Sequence, residues 1–261
     1  MKNGLYDQLL NSIDNIEGDQ LEFSKYRTDP VAFGEQVLGE TYTAGIRAMM
    51  ESVRDNPITI AKSANATGKT HGAARVAVWW YKSFSDSQVY TAAAPPESNL
   101  KKLLWGEIGS LIEKNPKLFK ADTITSLHVQ RSAQSFLTGV TIPASGTESQ
   151  REAKFSGKHA PYLLFILDEG DAIPDEVYRG IESCMSGGHT RLLIMFNPRA
   201  EAGEAYRMER DGQARVIKLS AFSHPNVVTG DNGIAGAVTR ETTVRRINQW
   251  SRLLAEGESI D

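Results

Sequence analysis

Cysteine is nearly missing from the chain: Cys184 is the only one in 261 residues. A single thiol can neither close an internal disulfide nor build a zinc cluster, so both devices are excluded and Cys184 reads as a buried structural thiol. Also missing is any uninterrupted apolar run near the roughly 20 residues that a membrane span needs. The longest conspicuous runs, Leu163 to Leu167 and Leu192 to Phe196, have the length of strands. The opening MKNGLYDQLLNSIDN carries acids where a signal peptide has its apolar stretch, so a cytoplasmic protein with no membrane partner is expected. There is no excess of positive charge, the formal net charge being −3, and a basic nucleic-acid-binding domain is not advertised. The five histidines, His71, His128, His159, His189 and His224, lack the i, i+4 pairing of a zinc helix and take no catalytic role. Repeats, low-complexity tracts and Pro/Ser-rich linkers are absent as well.

What is present fits an ordinary globular chain, 40% hydrophobic and 23% charged. Its length allows one large domain, or one domain with a small appendage. Three zones differ. Residues 1–56 are acidic and helical in pattern, with Ile46, Met49, Met50 and Val53 on one helix face, and read as a cover segment. Residues 57–222 alternate short apolar runs with helical patterns, which predicts a mainly parallel central sheet flanked by helices. Residues 223–261 read as a polar connection followed by one helix, a linker leading to something absent. Expected strands are Ile58 to Lys62, Gln88 to Ala93, Ser135 to Ile142, Tyr162 to Leu167, Arg191 to Phe196 and Arg215 to Leu219. Expected helices are Lys69 to Lys82, Ser98 to Glu113, Asp175 to Cys184, Glu201 to Arg210 and Thr239 to Leu254. Trp79 and Trp80 fall on the first of these as packing residues. Residues 1–60 hold 5 basic and 10 acidic side chains, whereas residues 61–198 hold 15 and 13, so a polyanion partner should meet the middle zone.

That zone carries a phosphate site. Ser63 to Thr70 reads SANATGKT, directly after an apolar strand and directly before a helix. In that context the backbone N–H groups of Ser63, Ala64, Asn65, Ala66, Thr67, Gly68, Lys69 and Thr70 can cradle phosphate oxygens. Lys69 is placed to reach the β- and γ-phosphates of ATP, and Thr70 to put its hydroxyl on Mg²⁺. One departure from GxxxxGK[ST] is Ser63 in place of the first glycine. The apolar run YLLFILDE ends in two carboxylates, of which Asp168 suits the Mg²⁺ shell and Glu169 suits polarising the attacking water. A third strand ends at Asn197, which can sense the γ-phosphate or simply form an Asn-Pro turn. Together these make a P-loop NTPase of the ASCE/RecA-like kind, with the Asn197 strand inserted between the phosphate-loop strand and the acidic strand. Ser145 to His159 reads as a polar loop whose Arg151 can supply a cation to the developing charge, or can be a solvated surface arginine. Lys101 and Lys102, at a helix start, are either a DNA-contact pair or a solvated helix face.

The segments KSANATGKTHGAARVAVWWY, TAAAPPESNLKKLLWGEI, FSGKHAPYLLFILDEGDAIPDEVYRGIE, TRLLIMFNP and SHPNVVTG resemble, in order and spacing, the ATPase domain of bacteriophage terminase large subunits, over roughly Asp29 to Asn226. The resemblance implies a DNA-packaging motor in the host cell cytoplasm that hydrolyses ATP to pump double-stranded DNA. Its implied partners are portal protein and small terminase subunit, with a homo-oligomeric ring when assembled and a monomer allowed in isolation. By it Lys69 and Thr70 bind nucleotide phosphates and Mg²⁺, Asp168 is the magnesium carboxylate and Glu169 the catalytic one. Three departures bear on the transfer. Ala64, Asn65 and Ala66 stand where many terminases have a P-loop arginine, so that cation must come from elsewhere, Arg151 being the candidate in cis or from a neighbouring subunit. Thr41 to Val53, ahead of the P-loop strand, contains no glutamine to read adenine, which leaves Tyr42 to stack on the base. The family usually continues into a nuclease domain with clustered acids; this chain reads as the ATPase half, without nuclease activity. A helicase-like translocase and a non-hydrolysing nucleotide-binding scaffold are the alternatives.

Overall fold

The computed structural model describes residues 23–199 and 201–251. The first 22 residues of the expected cover segment, and the last three of the helix expected to reach Leu254, lie outside the described residues.

Two helices open the described chain. Helix α1, Pro30–Gln36, starts on Asp29, whose carboxylate accepts from Ala32 N, with proline in its first turn. Helix α2, Ala44–Asp55, is capped by Thr43 and buries Ile46, Met49, Met50 and Val53 along one face. Strand β1, Ile58–Ser63, leads through the glycine-containing loop into α3, Lys69–Ser83. Strand β2 is Ser87–Ala93. The next expected helix is a single turn at Glu97–Asn99, a π-helical stretch at Leu100–Leu104, and α4 at Trp105–Lys114. Strands β3, Thr123–Thr125, β4, His128–Ser132, and β5, Ser135–Gly139, follow. The order then runs α5, Glu148–Phe155; β6, Tyr162–Asp168; α6, Asp175–Glu182; β7, His189–Phe196; α7, Glu204–Arg210; β8, Arg215–Leu219; α8, Pro225–Thr229; and α9, Arg240–Trp250.

The eight strands form one sheet in the order β3-β4-β5-β2-β6-β7-β1-β8. Pairings from β5 through β8 are parallel, and β3 and β4 add an antiparallel edge. Strand β7 lies between β1 and β6, the insertion expected of this P-loop class. Because side chains alternate along a strand, β6 feeds both faces. Leu164 and Ile166 join Ala61, Val89, Leu193 and Met195 under α1 to α4, while Leu163, Phe165 and Leu167 join Ile60, Ile194 and Phe196 under α6 and α7. Burial on both faces is what makes β6 and β7 continuous apolar runs.

Three expectations are corrected. Residues 23–55 are not merely a cover: Phe33, Met49 and Met50 are fully buried in the same apolar cluster as α3, so these helices form one layer of the core. Ser145 to His159 is not all loop; Thr147 and Gln150 form a reciprocal capping box that starts α5. The polar connection after Phe222 contains the short helix α8. Trp79, Trp80 and Cys184 are buried, as read from the sequence. Among the described residues, no helix is long and apolar enough to cross a membrane.

Candidate active site

The parallel strands point their carboxyl ends to one edge of the sheet, the place where open α/β sheets hold ligands. The register fixes what meets there. Asp168 pairs with Ala93 on one side and Met195 on the other, Lys62 pairs with Phe196, and Ser63 with Leu219. The tips of β1, β6 and β7 therefore end within one small region.

Loop 64–68 turns the chain sharply from β1 into α3. Ala66 (φ 59°) and Gly68 (φ 90°) are left-handed, and Gly68 is the residue before the first helical turn. Thr67 Oγ1 donates to Ala64 O at 2.9 Å, and Ala64 N donates to Leu219 O at 3.0 Å, which ties the loop to β8. From the other side Val238 N donates to Ala66 O at 2.8 Å. The N-terminus of α3 thus opens, with its unpaired N–H groups, into a cavity of about 800 Å³ lined by 64–71, Thr41 to Thr43, Asn197, Glu107 and residues 233–237.

Two of the lining residues, Lys69 and Asn197, meet Glu169 at the edge of this cavity. Lys69 Nζ donates to Glu169 Oε1 at 3.2 Å and also to Asn197 Oδ1, and lies 4.0 Å from Asp168 Oδ1. Asn197 Nδ2 donates to Asn65 Oδ1 at 2.5 Å, linking the tip of β7 to the loop. Asp168 is 1% exposed; burial pushes its carboxyl above the usual aspartate range, Lys69 pulls it down and the Glu169 charge pushes it up. Glu169 occupies the left-handed region at φ 53°, a costly conformation for glutamate, fixed by Glu169 N donating to Asp168 Oδ1 at 3.0 Å and Ala172 N donating to Glu169 O at 2.9 Å. The buried Asp168 carboxylate and the Thr70 hydroxyl are hard oxygen donors at a phosphate loop, a set that suits Mg²⁺ completed by phosphate oxygens and water.

Tyr42 lines the cavity at the far side of the loop. Its hydroxyl donates to Glu40 Oε2 at 3.1 Å, and burial, with the Glu40 charge beside it, pushes the phenol up. Glu40 is in turn clamped by Arg75, whose Nε and Nη2 donate to it at 2.7 and 2.6 Å. Burial raises the Glu40 carboxyl, but the Arg75 hydrogen bonds and charge outweigh it and hold the group low. Arg75 also donates to Glu107 at 2.8 Å, and His71 stands between the two acids.

Other expected residues lie apart. Arg151 sits on α5, ion-paired with Glu176 and donating to Gly146 O at 3.1 Å, and none of these partners belongs to the phosphate site. Lys101 and Lys102 are exposed in the π-helical stretch, Lys101 pairing with Glu97 at 2.7 Å. Sequence reasoning missed Arg199, whose Nη2 donates to Glu169 Oε2 at 3.0 Å. A cation two residues beyond Asn197, just past the end of the strand next to the acidic one, was the available signal. It also missed the wall at 233–237, which no local pattern marks.

No protein-family model matches the chain. A probable terminase large subunit of Enterobacteria phage P7 is 25% identical over 186 residues, covering 69% of this chain. The chain spans 37% of that relative's length. Among solved structures, a variant of the large-terminase ATPase domain of Thermus phage P74-26 superposes with a TM-score of 0.61 at 17% identity, over 82% of this chain and 91% of that one. The large terminase of a thermophilic bacteriophage, solved in complex with ADP, gives 0.57 at 9% identity, over 82% and 51%. The chain has the fold of a phage large-terminase ATPase domain, and the family resemblance carried by its motifs stands.

Proposed function

We propose that the chain hydrolyses ATP with Mg²⁺ as the motor domain of a phage terminase large subunit and powers translocation of double-stranded DNA into a procapsid. The observation that carries the reading is the meeting of Lys69, Glu169 and Asn197, from three distant segments, over loop 64–68. Ala64 N is engaged by Leu219 O, so the backbone N–H groups of 65–70 hold the phosphates, and Lys69 exchanges Glu169 for the β- and γ-phosphate oxygens. Mg²⁺, when bound through Thr70 and Asp168, neutralises phosphate charge. Glu169 orients the attacking water and takes its proton, while Asn197 reports on the γ-phosphate to the loop through Asn65. Tyr42 offers its ring to the base. Arg151 serves as a transition-state cation across a subunit boundary only if it leaves Glu176, and Lys101 and Lys102 are the proposed DNA contacts. A homo-oligomeric ring, portal protein and small terminase subunit complete the assembly in the host cell cytoplasm.

Phosphate release from Mg-ATP tests the reading. Glu169→Gln is expected to keep ATP affinity and lose at least about 100-fold in turnover, the scale of a general base, whereas Lys69→Ala also loses affinity. Unchanged turnover in Glu169→Gln refutes the assignment.

A further inference from the structure

Glu169 carries one cation on each carboxylate oxygen, Lys69 on Oε1 at 3.2 Å and Arg199 on Oε2 at 3.0 Å. The two cations are not equivalent. Lys69 is 14% exposed and shared among Glu169, Asn197 and the nearby Asp168. Arg199 is 64% exposed, and Glu169 is its ion-pair partner. The backbone of Glu169 is pinned, but its side chain has three rotatable bonds beyond the left-handed Cα, so the direction of the carboxylate depends on what holds its oxygens.

We propose that Arg199 is a positioning residue for Glu169, holding the outer carboxylate oxygen once Lys69 has turned to the phosphates. The inference rests on the hydrolytic reading of the site given above. In that reading Lys69 turns from Glu169 to the γ-phosphate, so binding of ATP takes the cation from the inner oxygen and frees it to face water. Arg199 then fixes the carboxylate's orientation from the side away from the phosphates. Pro198 restricts the backbone between the Asn197 tip and Arg199, whose guanidinium reaches the end of the neighbouring strand at Glu169. The contact uses one guanidinium nitrogen, not a two-pronged fork, so a lysine at 199 can replace it in charge and roughly in reach.

The test is steady-state ATP hydrolysis and calorimetric binding of ATPγS, with Arg199→Ala, Arg199→Lys and the uncharged, similarly long Arg199→Gln. A group that orients the base without touching nucleotide lowers kcat and leaves affinity alone. Arg199→Ala and Arg199→Gln are expected to lose about 10- to 100-fold in kcat, the scale of a misplaced reacting group. Their KM for ATP and Kd for ATPγS are expected to stay within about twofold of wild type, and Arg199→Lys to recover most of kcat. Because the side chain is largely exposed, the variants should melt with the wild type; should Arg199→Ala fail to fold, Arg199→Gln carries the same expectation. Turnover within twofold of wild type in a folded Ala or Gln variant overturns the proposal. So does a tenfold weaker Kd for ATPγS, which makes Arg199 a phosphate contact, and so does a lysine variant as slow as alanine. Absence of hydrolysis by the wild type, by contrast, overturns the underlying reading of the site, and the proposal with it.

Discussion

Asp122 joins two cations in a place that water does not reach. Its Oδ2 accepts from Lys82 Nζ at 2.5 Å and its Oδ1 from Tyr81 Oη at 2.7 Å, while Arg131 Nε lies 3.5 Å from Oδ1. The side chains of Lys82, Asp122 and Arg131 are 1%, 0% and 1% exposed. Arg131 Nε and Nη2 have no hydrogen-bond partner, and the guanidinium sits 5.6 Å over the Tyr81 ring. Lys82 belongs to α3, whose first residue is Lys69, so the cluster fastens the far end of the phosphate-site helix to the antiparallel edge of the sheet. Asp122→Asn keeps the shape and removes the negative charge that Lys82 and Arg131 share. Breaking a buried ion pair from one side costs about 3–5 kcal/mol. For a chain of this size about 1 kcal/mol moves Tm by roughly 2–4 °C, so a drop of about 6–20 °C is expected in a circular-dichroism melt at pH 7. Arg131→Met is the control that separates charge from packing. It keeps the Lys82–Asp122 pair and removes the orphaned donors, so it should cost less than about 1 kcal/mol. An Asp122→Asn loss below about 1 kcal/mol, or an Arg131→Met loss as large as that of Asp122→Asn, refutes the electrostatic account.

Two further outcomes follow from packing and protonation. Gly34 leaves room for Tyr42, since a Cβ there would stand 2.1 Å from the Tyr42 hydroxyl; Gly34→Ala is expected to lower stability by about 1–3 kcal/mol despite its better helix propensity, and to raise KM for ATP without changing kcat. A Tm at or above wild type counts against that placement of Tyr42. His189 stacks on Trp80 at 5.4 Å, and burial, with Arg191 beside it, holds its imidazole below the usual range. The unfolded chain therefore binds this proton more readily than the folded one, so its contribution is intact above about pH 6.5 and is lost as pH falls from there through the folded value. Melts between pH 7.5 and 5.5 should show a decline that His189→Gln makes shallower, and an unchanged slope in the variant removes His189 from the effect.

The legible parts of this molecule are those in which one strand or loop carries its whole signal locally. Strands β6 and β7 are apolar throughout because both faces are covered, and the glycine loop between β1 and α3 has a spacing that few other structures require. The hairpin of β3 and β4 gave no such signal: Thr123, Ile124 and Thr125 are all exposed, and the inward position at 131 is an arginine, which cancels the alternation that marks a strand. Arg199 and the Glu40–Arg75–Glu107 bridge were hidden because their contacts join residues some 30 apart. Ser63 departs from the glycine pattern of the phosphate loop, and the backbone explains why the loop accepts it. Ser63 is the last residue of β1, in register with Leu219, whereas the left-handed turns that call for glycine fall at Ala66 and Gly68. Ser63 is 3% exposed, and its Oγ is buried without a hydrogen-bond partner. A hydroxyl in that condition carries a desolvation cost of about 1–3 kcal/mol, set against the small void that its removal leaves. Ser63→Ala is therefore expected to be neutral to about 1 kcal/mol more stable in thermal melts, with ATPγS affinity unchanged, while Ser63→Gly loses about 0.5–1 kcal/mol through backbone freedom in a strand. A destabilisation above about 1 kcal/mol in Ser63→Ala, or a tenfold loss of nucleotide affinity, would show that the hydroxyl has a partner of its own and that position 63 takes part in the site through its side chain.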